Sequence, residues 1–156
     1  MKRFRIVSLI VLTITILFLT TGCGEYQKDI YADDSIIAKA YDSYTFVSRS
    51  GSTTPNESNI KYGAFVGMET IWVIESEGDG SFTIEYDSKV KKGEFKVVLI
   101  TPDNKVRNIL EQNEEGTIKI KAGKGKSRVK IVGNEAGGEC LLKIETQGDA
   151  VIKKFD

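Results

Sequence analysis

The fold is decided by residues 81–87, which have the sequence SFTIEYD. Apolar and polar side chains alternate along this stretch, and a period of two predicts a β-strand with one face in the core and one in water. Residues 117–122, TIKIKA, repeat the pattern. Two stretches, IWVI at 71–74 and VVLI at 97–100, break it. They predict interior strands covered on both faces, or a second apolar surface that a ligand uses.

Similar segments occur on both sides of this strand along the sequence. They are short, rich in Val, Ile, Phe and Tyr, and separated by Gly, Asp, Asn or Pro. They lie at residues 44–48, 60–66, 69–75, 81–87, 94–101, 105–110, 117–122, 128–132, 139–146 and 150–155. This spacing predicts an all-β fold, an antiparallel β-sandwich of about 8–9 strands with a jelly-roll or immunoglobulin-like topology. A short N-terminal helix over 36–44 and a loop over 49–59 complete the prediction.

Composition limits the classes of function. The chain of 156 residues has 22 basic and 22 acidic residues, and 40% of its residues are hydrophobic, which argues against a strongly basic nucleic-acid binder and against disorder. It contains no His, the commonest general base and metal ligand. We therefore expect a single domain with no cofactor, no metal site and no catalytic residues.

The N-terminus has the layout of a secretory signal peptide. Residues 1–5 include three basic side chains, residues 6–21 are uncharged and mostly apolar, and Thr20-Thr21-Gly22-Cys23 closes the run. This ending resembles the lipobox of bacterial lipoproteins, in which a small residue precedes the cysteine that receives diacylglycerol. The resemblance implies cleavage after Gly22 and a lipid anchor on Cys23.

These features predict the organisation of the chain. Residues 1–22 form the signal peptide, residues 23–34 the lipidated cysteine and its tether, and residues 35–156 one β-sandwich domain. The predicted location is the outer side of the cytoplasmic membrane, with the lipid bilayer as a partner through acylated Cys23. Wall polyanions, glycans and other envelope proteins remain possible further partners.

Six basic residues without an intervening acid form a candidate surface for anions. Their even spacing predicts that most lie on the solvent face of one hairpin, where they could contact anionic lipid or wall polyanions. The alternative is a solvated face whose charges discourage edge pairing. The residues are Lys119, Lys121, Lys124, Lys126, Arg128 and Lys130.

Aromatic residues form a second candidate surface. Trp72, Tyr62 and Tyr86 could stack against sugar rings, or they could simply fill the core. Residues 117–132 resemble the late strands of carbohydrate-binding jelly rolls and of other envelope β-sandwich domains. This resemblance implies a ligand platform that includes Trp72, provided that Trp72 is exposed.

Three functions remain open at this point. The main hypothesis is a non-catalytic binding or interaction module, and the first alternative is a carbohydrate-binding domain. The second alternative is a small hydrolase that uses a carboxylate pair, either Glu85 with Asp87 or Glu75 with Glu77. Cys140 alternates in phase with apolar residues, which predicts a buried thiol that reacts slowly.

Overall fold

The computed structural model describes residues 30–154. The chain begins with a 3₁₀ turn at Ile30–Ala32 and a short helix, α1 (Asp34–Ile37), whose N-cap is Asp33. Eight strands follow: β1 (Ser43–Thr45), β2 (Ser48–Thr53), β3 (Glu57–Ser76), β4 (Ser81–Ile100), β5 (Val106–Glu111), β6 (Glu114–Lys121), β7 (Gly125–Gln147) and β8 (Val151–Lys154). The predicted helix is therefore present but ends seven residues earlier than expected.

All eight strands belong to one antiparallel sheet. The long strands β3, β7 and β4 form its centre, in that order. β1, β2 and β8 pair with β3 on one side, and β5 and β6 pair with β4 on the other. β2 lies within residues 49–59, which we expected to be a loop.

Each long strand bends near its middle. The pairing of β3 with β7 shifts register between residues 62 and 67, and that of β4 with β7 shifts between residues 90 and 94. Gly67 and Gly93 lie at these bends with φ of 105° and 71°, a region that glycine enters without steric cost. The bends fold the sheet over on itself, so that it forms the two layers of a β-sandwich.

The two layers are defined by the pairing register. Layer 1 contains β2, β6 and residues 57–62, 81–90 and 138–147 of the long strands. Layer 2 contains β5, β8 and residues 67–76, 94–100 and 125–133, with β1 at the bend. Short connections at 77–80, 122–124 and 148–150 run from one layer to the other.

The main core lies between the two layers. It includes Trp72, Ile84, Leu99 and Leu142, all with at most 2% of their surface exposed. Near the bend the rings of Tyr62 and Phe95 stack with their centroids 4.6 Å apart. Burial of this apolar surface is the dominant stabilising contribution to the fold.

A second apolar cluster covers the outer face of layer 2. Residues 30–42, which we name the N-terminal latch, place Ile30, Tyr31 and Ile37 against Met68, Val98, Ile100 and Val132. Ile30 is therefore already part of the packed domain, although it lies inside residues 23–34, which we expected to be a tether. Residues 97–100 are confirmed as an interior strand, because Val97 and Leu99 face the main core and Val98 and Ile100 face the latch.

Residues 71–74 break the alternation for a different reason. A register shift between Thr70 and Trp72 lets Ile71 and Trp72 both reach the main core. A bulge places an extra residue in one strand and turns the following side chains. Between Ile30 and Lys154 no helix is long and apolar enough to cross a membrane.

Candidate functional site

The outward side chains of layer 1 form a polar face with a regular cross-strand arrangement. In one row the pairing register aligns Glu57, Lys143, Glu85 and Thr117. The next row contains Asn59, Leu141, Asp87 and Glu115, and the third contains Lys61, Glu139 and Lys89. Inward neighbours such as Ile60, Ile84 and Leu142 are buried, so the strands hold these polar groups on a rigid support.

Two adjoining grooves cross this face. The larger, of about 320 Å³, is lined by Glu85, Tyr86, Asp87, Glu115, Gly116, Thr117, Leu141 and Lys143. The smaller, of about 240 Å³, is lined by Asn59, Lys61, Asp87, Lys89, Glu139, Cys140 and Leu141. Because Asp87 and Leu141 line both, we treat them as one site, the layer 1 groove.

The charges in the layer 1 groove are unevenly distributed. In the smaller part, Lys61 Nζ lies 3.4 Å from Glu139 Oε2 and Lys89 Nζ lies 3.5 Å from Asp87 Oδ2. In the larger part, Asp87 and Glu115 are direct cross-strand neighbours of the same charge. The groove therefore offers hydrogen-bond acceptors in its larger part and ammonium donors beside them, with Leu141 as an apolar patch between.

Tyr86 is the member of the predicted aromatic platform that lines the groove. Its ring lies over Gly116, since a Cβ at that position would be 2.8 Å from Tyr86 Oη. The hydroxyl donates to Glu114 Oε1 at 3.5 Å, and partial burial beside Glu114 raises the pKa of Tyr86. Any side chain at residue 116 would displace this ring.

The other two platform residues lie in the core. Trp72 is completely buried, and its indole N–H donates to the carbonyl oxygen of Thr54 at 2.8 Å. Tyr62 is 5% exposed and stacks on Phe95. The prediction of an exposed platform at Trp72 and Tyr62 is wrong, because both rings fill the space between the two layers.

The six basic residues do not share one hairpin face. β6 pairs with β4 in layer 1, whereas β7 begins in layer 2 beside β3. Lys119 and Lys121 are exposed on β6, and Lys119 Nζ donates to Gln147 Oε1 at 3.0 Å. Lys124 and Lys126 form ion pairs with Glu77 and Glu75, at 3.4 and 3.1 Å.

The last two basic residues hold the N-terminal latch. Arg128 Nη2 donates to the carbonyl oxygen of Ala38 at 2.7 Å. Lys130 is completely buried, and its ammonium donates to the carbonyl oxygens of Lys39 and Tyr41, both at 2.8 Å, and pairs with Asp42 Oδ1 at 3.2 Å. Desolvation lowers the pKa of Lys130 although Asp42 opposes the shift. Lys130 therefore cannot contact an anionic surface.

The two candidate carboxylate pairs have different surroundings. Glu75 forms ion pairs with Lys153 and Lys126, at 2.7 and 3.1 Å, and these contacts lower the pKa of Glu75. Glu85 and Asp87 line the layer 1 groove, where Glu115 joins them from a different strand. Among residues 30–154 no three His, Cys, Asp or Glu side chains are grouped so that they could hold a metal ion. Cys23 lies outside the described residues.

Sequence reasoning missed most of the groove. Glu115, Thr117, Leu141 and Lys143 come from strands that are neighbours of β4 only once the sheet order is known. Their sole signal in the sequence is an outward position in an alternating strand, which every solvated face shares.

No protein family and no curated protein sequence matches this chain. Among solved structures, it is similar to an exo-β-1,3-galactanase from Phanerochaete chrysosporium, with 12% identity and a TM-score of 0.38, over 68% of this chain and 30% of that one. A family two carbohydrate esterase from Cellvibrio japonicus matches with 15% identity and a TM-score of 0.40, over 74% of this chain and 36% of that one. The carbohydrate-binding module CBM35 from Paenibacillus barcinonensis matches with 15% identity and a TM-score of 0.39, over 67% of this chain and 96% of that one.

Proposed function

We propose that this chain is a non-catalytic glycan-binding module, displayed on the outer side of a bacterial membrane by acylated Cys23. The observation that carries the proposal is the layer 1 groove. It crosses four strands and combines carboxylates, an ammonium group and an apolar patch on a rigid sheet.

The chemistry of the groove suits a polyhydroxylated ligand. Sugar hydroxyls both donate and accept hydrogen bonds, so a carboxylate such as Asp87 and an ammonium such as Lys143 can bind neighbouring groups of one ring. Leu141 offers an apolar surface to the C–H face of the ring. A groove of about 320 Å³ falls at the lower end of the size range for small-molecule sites.

Calorimetry on the acylated mature protein in detergent micelles tests the proposal. The probes are soluble peptidoglycan fragments, mannohexaose and β-1,4-galactotriose. We expect binding of at least one probe, weakened about tenfold or more in Asp87→Asn and in Lys143→Ala because each removes a charged hydrogen-bond partner. Glu145→Gln is the matched control, since it removes a carboxylate from the same face of β7 outside the groove.

Two results would contradict glycan binding in the groove. One is the absence of heat with every probe, and the other is binding that both groove variants leave unchanged. Because Trp72 is buried between the layers, we expect its fluorescence to stay constant on binding. A large spectral shift would indicate a site elsewhere.

Glycoside hydrolysis is a second candidate, favoured by one observation. Asp87 and Glu115 come from different strands and line the same groove, and paired carboxylates are the catalytic groups of most glycosidases. Release of new reducing ends from a bound probe, abolished by Glu115→Gln, would establish hydrolysis. Binding without any release over hours would support a purely non-catalytic module.

A further inference from the structure

Exposed apolar side chains are concentrated in one short segment. Among residues 30–154 the large hydrophobic residues that are exposed are Tyr41, Tyr44, Val47 and Val151. Three of these four lie within residues 41–47, which we name the 41–47 patch. Val47 has 85% of its surface exposed and Tyr44 has 43%.

The 41–47 patch is held firmly against the domain. β1 pairs with residues 66–68 of β3, and the backbone N–H of Val47 donates to the carbonyl oxygen of Gly63 at 2.9 Å. The ring of Tyr44 packs edge-on against Phe46, with centroids 5.5 Å apart, and Phe46 stacks on the buried Phe65 at 4.4 Å. The sheet therefore presents Tyr44 and Val47 to solvent on a rigid support.

The patch lies within reach of the lipid anchor. One row of layer 2 aligns Glu111, Lys96, Val132, Met68 and Ser43 on five strands, so it is about 19 Å long at the usual strand spacing. The latch crosses this row, because the hydroxyl of Tyr31 donates to Glu111 at 2.9 Å and residue 42 joins β1 at the other end. From Cys23 to Ile30 an extended chain spans at most about 25 Å.

The charges beside the patch do not oppose contact with lipid. Asp42 is paired with Lys130, and Glu69 is paired with Arg49 at 3.0 Å. The guanidinium that pairs with Glu69 also lies 5.6 Å from the centre of the Phe46 ring, so the ion pair beside the patch carries no net charge. Tyrosine favours the boundary between lipid headgroups and acyl chains, where its ring is in apolar surroundings and its hydroxyl is hydrated.

We propose that the 41–47 patch rests in the headgroup region of the membrane that holds Cys23 and thereby orients the domain. The proposal depends on the membrane anchor of the proposed function. It places the edge of the sandwich that carries β1 toward the lipid, and the layer 1 groove, on the outer face of the other layer, stays open to the cell envelope.

Site-directed spin labelling tests this orientation. The acylated mature protein, in a Cys140→Ala background, is reconstituted into liposomes of phosphatidylglycerol and phosphatidylethanolamine with a nitroxide on Val47→Cys. We expect the label to gain collisions with oxygen and to lose collisions with an aqueous nickel chelate, each by about twofold or more relative to the unacylated protein in solution. The matched label on Lys143→Cys, in the layer 1 groove, should keep its aqueous accessibility.

The outcomes separate this inference from the proposed function. An acylated protein whose label at residue 47 stays as accessible to the nickel chelate as in solution contradicts the orientation but leaves glycan binding intact. A mass spectrum that shows Cys23 without lipid contradicts both the anchor and the orientation. Because the contact is apolar, the protection at residue 47 should persist in 0.5 M salt, where the Debye length is only about 4 Å. Its loss there would indicate docking by lysines instead.

Discussion

Lys130 illustrates how the environment of a single residue determines its structural role. It lies in a sequence of alternating basic residues, yet its ammonium is completely buried against the latch. A buried charge is tolerated only when oxygen atoms surround it, and the carbonyls of Lys39 and Tyr41 together with Asp42 provide them. Burial therefore gives Lys130 a structural role, whereas Lys119 and Lys121 remain exposed to solvent.

Removal of the Lys130 charge should weaken the attachment of the latch. In Lys130→Met the two carbonyls and the Asp42 carboxylate lose their common donor, and we expect the free energy of unfolding to fall by about 3 kcal/mol. Urea unfolding measures the change. Lys126→Met is the control, since it removes an exposed partner and should cost less than about 1 kcal/mol. Equal losses of unfolding free energy in both variants would show that Lys130 does not hold the N-terminal latch.

Cys140 is confirmed as a buried thiol, with 1% of its surface exposed. Burial raises its pKa to about 12. Above its ordinary pKa of 9.0 the unfolded chain loses this proton while the folded chain keeps it. The contribution of this thiol to the free energy of unfolding is therefore fully present below pH 9. It decreases as the pH rises toward 12, by up to about 1.4 kcal/mol per pH unit.

Comparison with Cys140→Ala separates the ionisation of this thiol from that of the tyrosines, which also lose protons at alkaline pH. We expect the unfolding free energy of the variant to decrease less steeply between pH 8.5 and 10.5 than that of the wild type, as measured with urea. Native protein should also react slowly with a thiol reagent. Rapid stoichiometric labelling without denaturant, or identical pH slopes, would argue against a buried thiol.

At the scale of elements, the sequence predicted the positions of strands better than their continuity. The segments 60–66 and 69–75 are two halves of β3, and the same holds for 81–87 with 94–101 and for 128–132 with 139–146. Glycine between two apolar segments predicts a turn, but here it permits a bend inside one strand. β2 was missed because its polar residues bury almost nothing, and backbone pairing with β3 holds it in place.

The bend of β7 gives a test with a matched pair of glycines. A Cβ on Gly133 would overlap Cδ1 of Phe65 and lie 2.9 Å from its Cε1, and Phe65 is completely buried. We expect Gly133→Ala to lower the unfolding free energy by about 1–3 kcal/mol through overpacking. Gly137→Ala, whose Cβ would meet nothing closer than 3.8 Å, should change it by less than about 0.5 kcal/mol. Denaturant titration of both variants distinguishes them, and similar values would refute close packing at residue 133.

At the scale of the molecule, the carboxylate of Asp149 reinforces the end of the sandwich where the chain connections run between the two layers. Asp149, in the connection from β7 to β8, accepts hydrogen bonds from Ser76 Oγ at 2.6 Å and from the backbone N–H of Glu77 at 2.9 Å. It thereby links the end of layer 1 to the connection that leaves layer 2. The hydrogen bonds, above all that from Ser76, hold the pKa of Asp149 below its ordinary value.

The contribution of Asp149 should depend on pH with a defined sign. Its lowered pKa means that stabilisation is complete above the unfolded value of 3.8 and is lost as the pH falls through the folded value. We expect Asp149→Ala to be less stable than the wild type at pH 7, with a difference that narrows below about pH 4. Thermal unfolding across this range is the measurement, with Glu145→Gln as a surface control. A difference that stays constant with pH would show that the charge of Asp149 is not what reinforces this end of the sandwich.

The sequence by itself determined the all-β class and the burial of Cys140, and it left a strand covered on both faces as one of two alternatives for residues 97–100. These properties depend on neighbours one or two residues away, because side chains alternate along any strand. The proposed lipidation of Cys23 rests on the sequence alone. Only the tertiary structure decided that Trp72 faces the core, that Lys130 holds the latch and that Asp87, Glu115 and Lys143 share a groove. Those outcomes depend on bends, bulges and strand order, which arise from contacts between residues far apart in the chain.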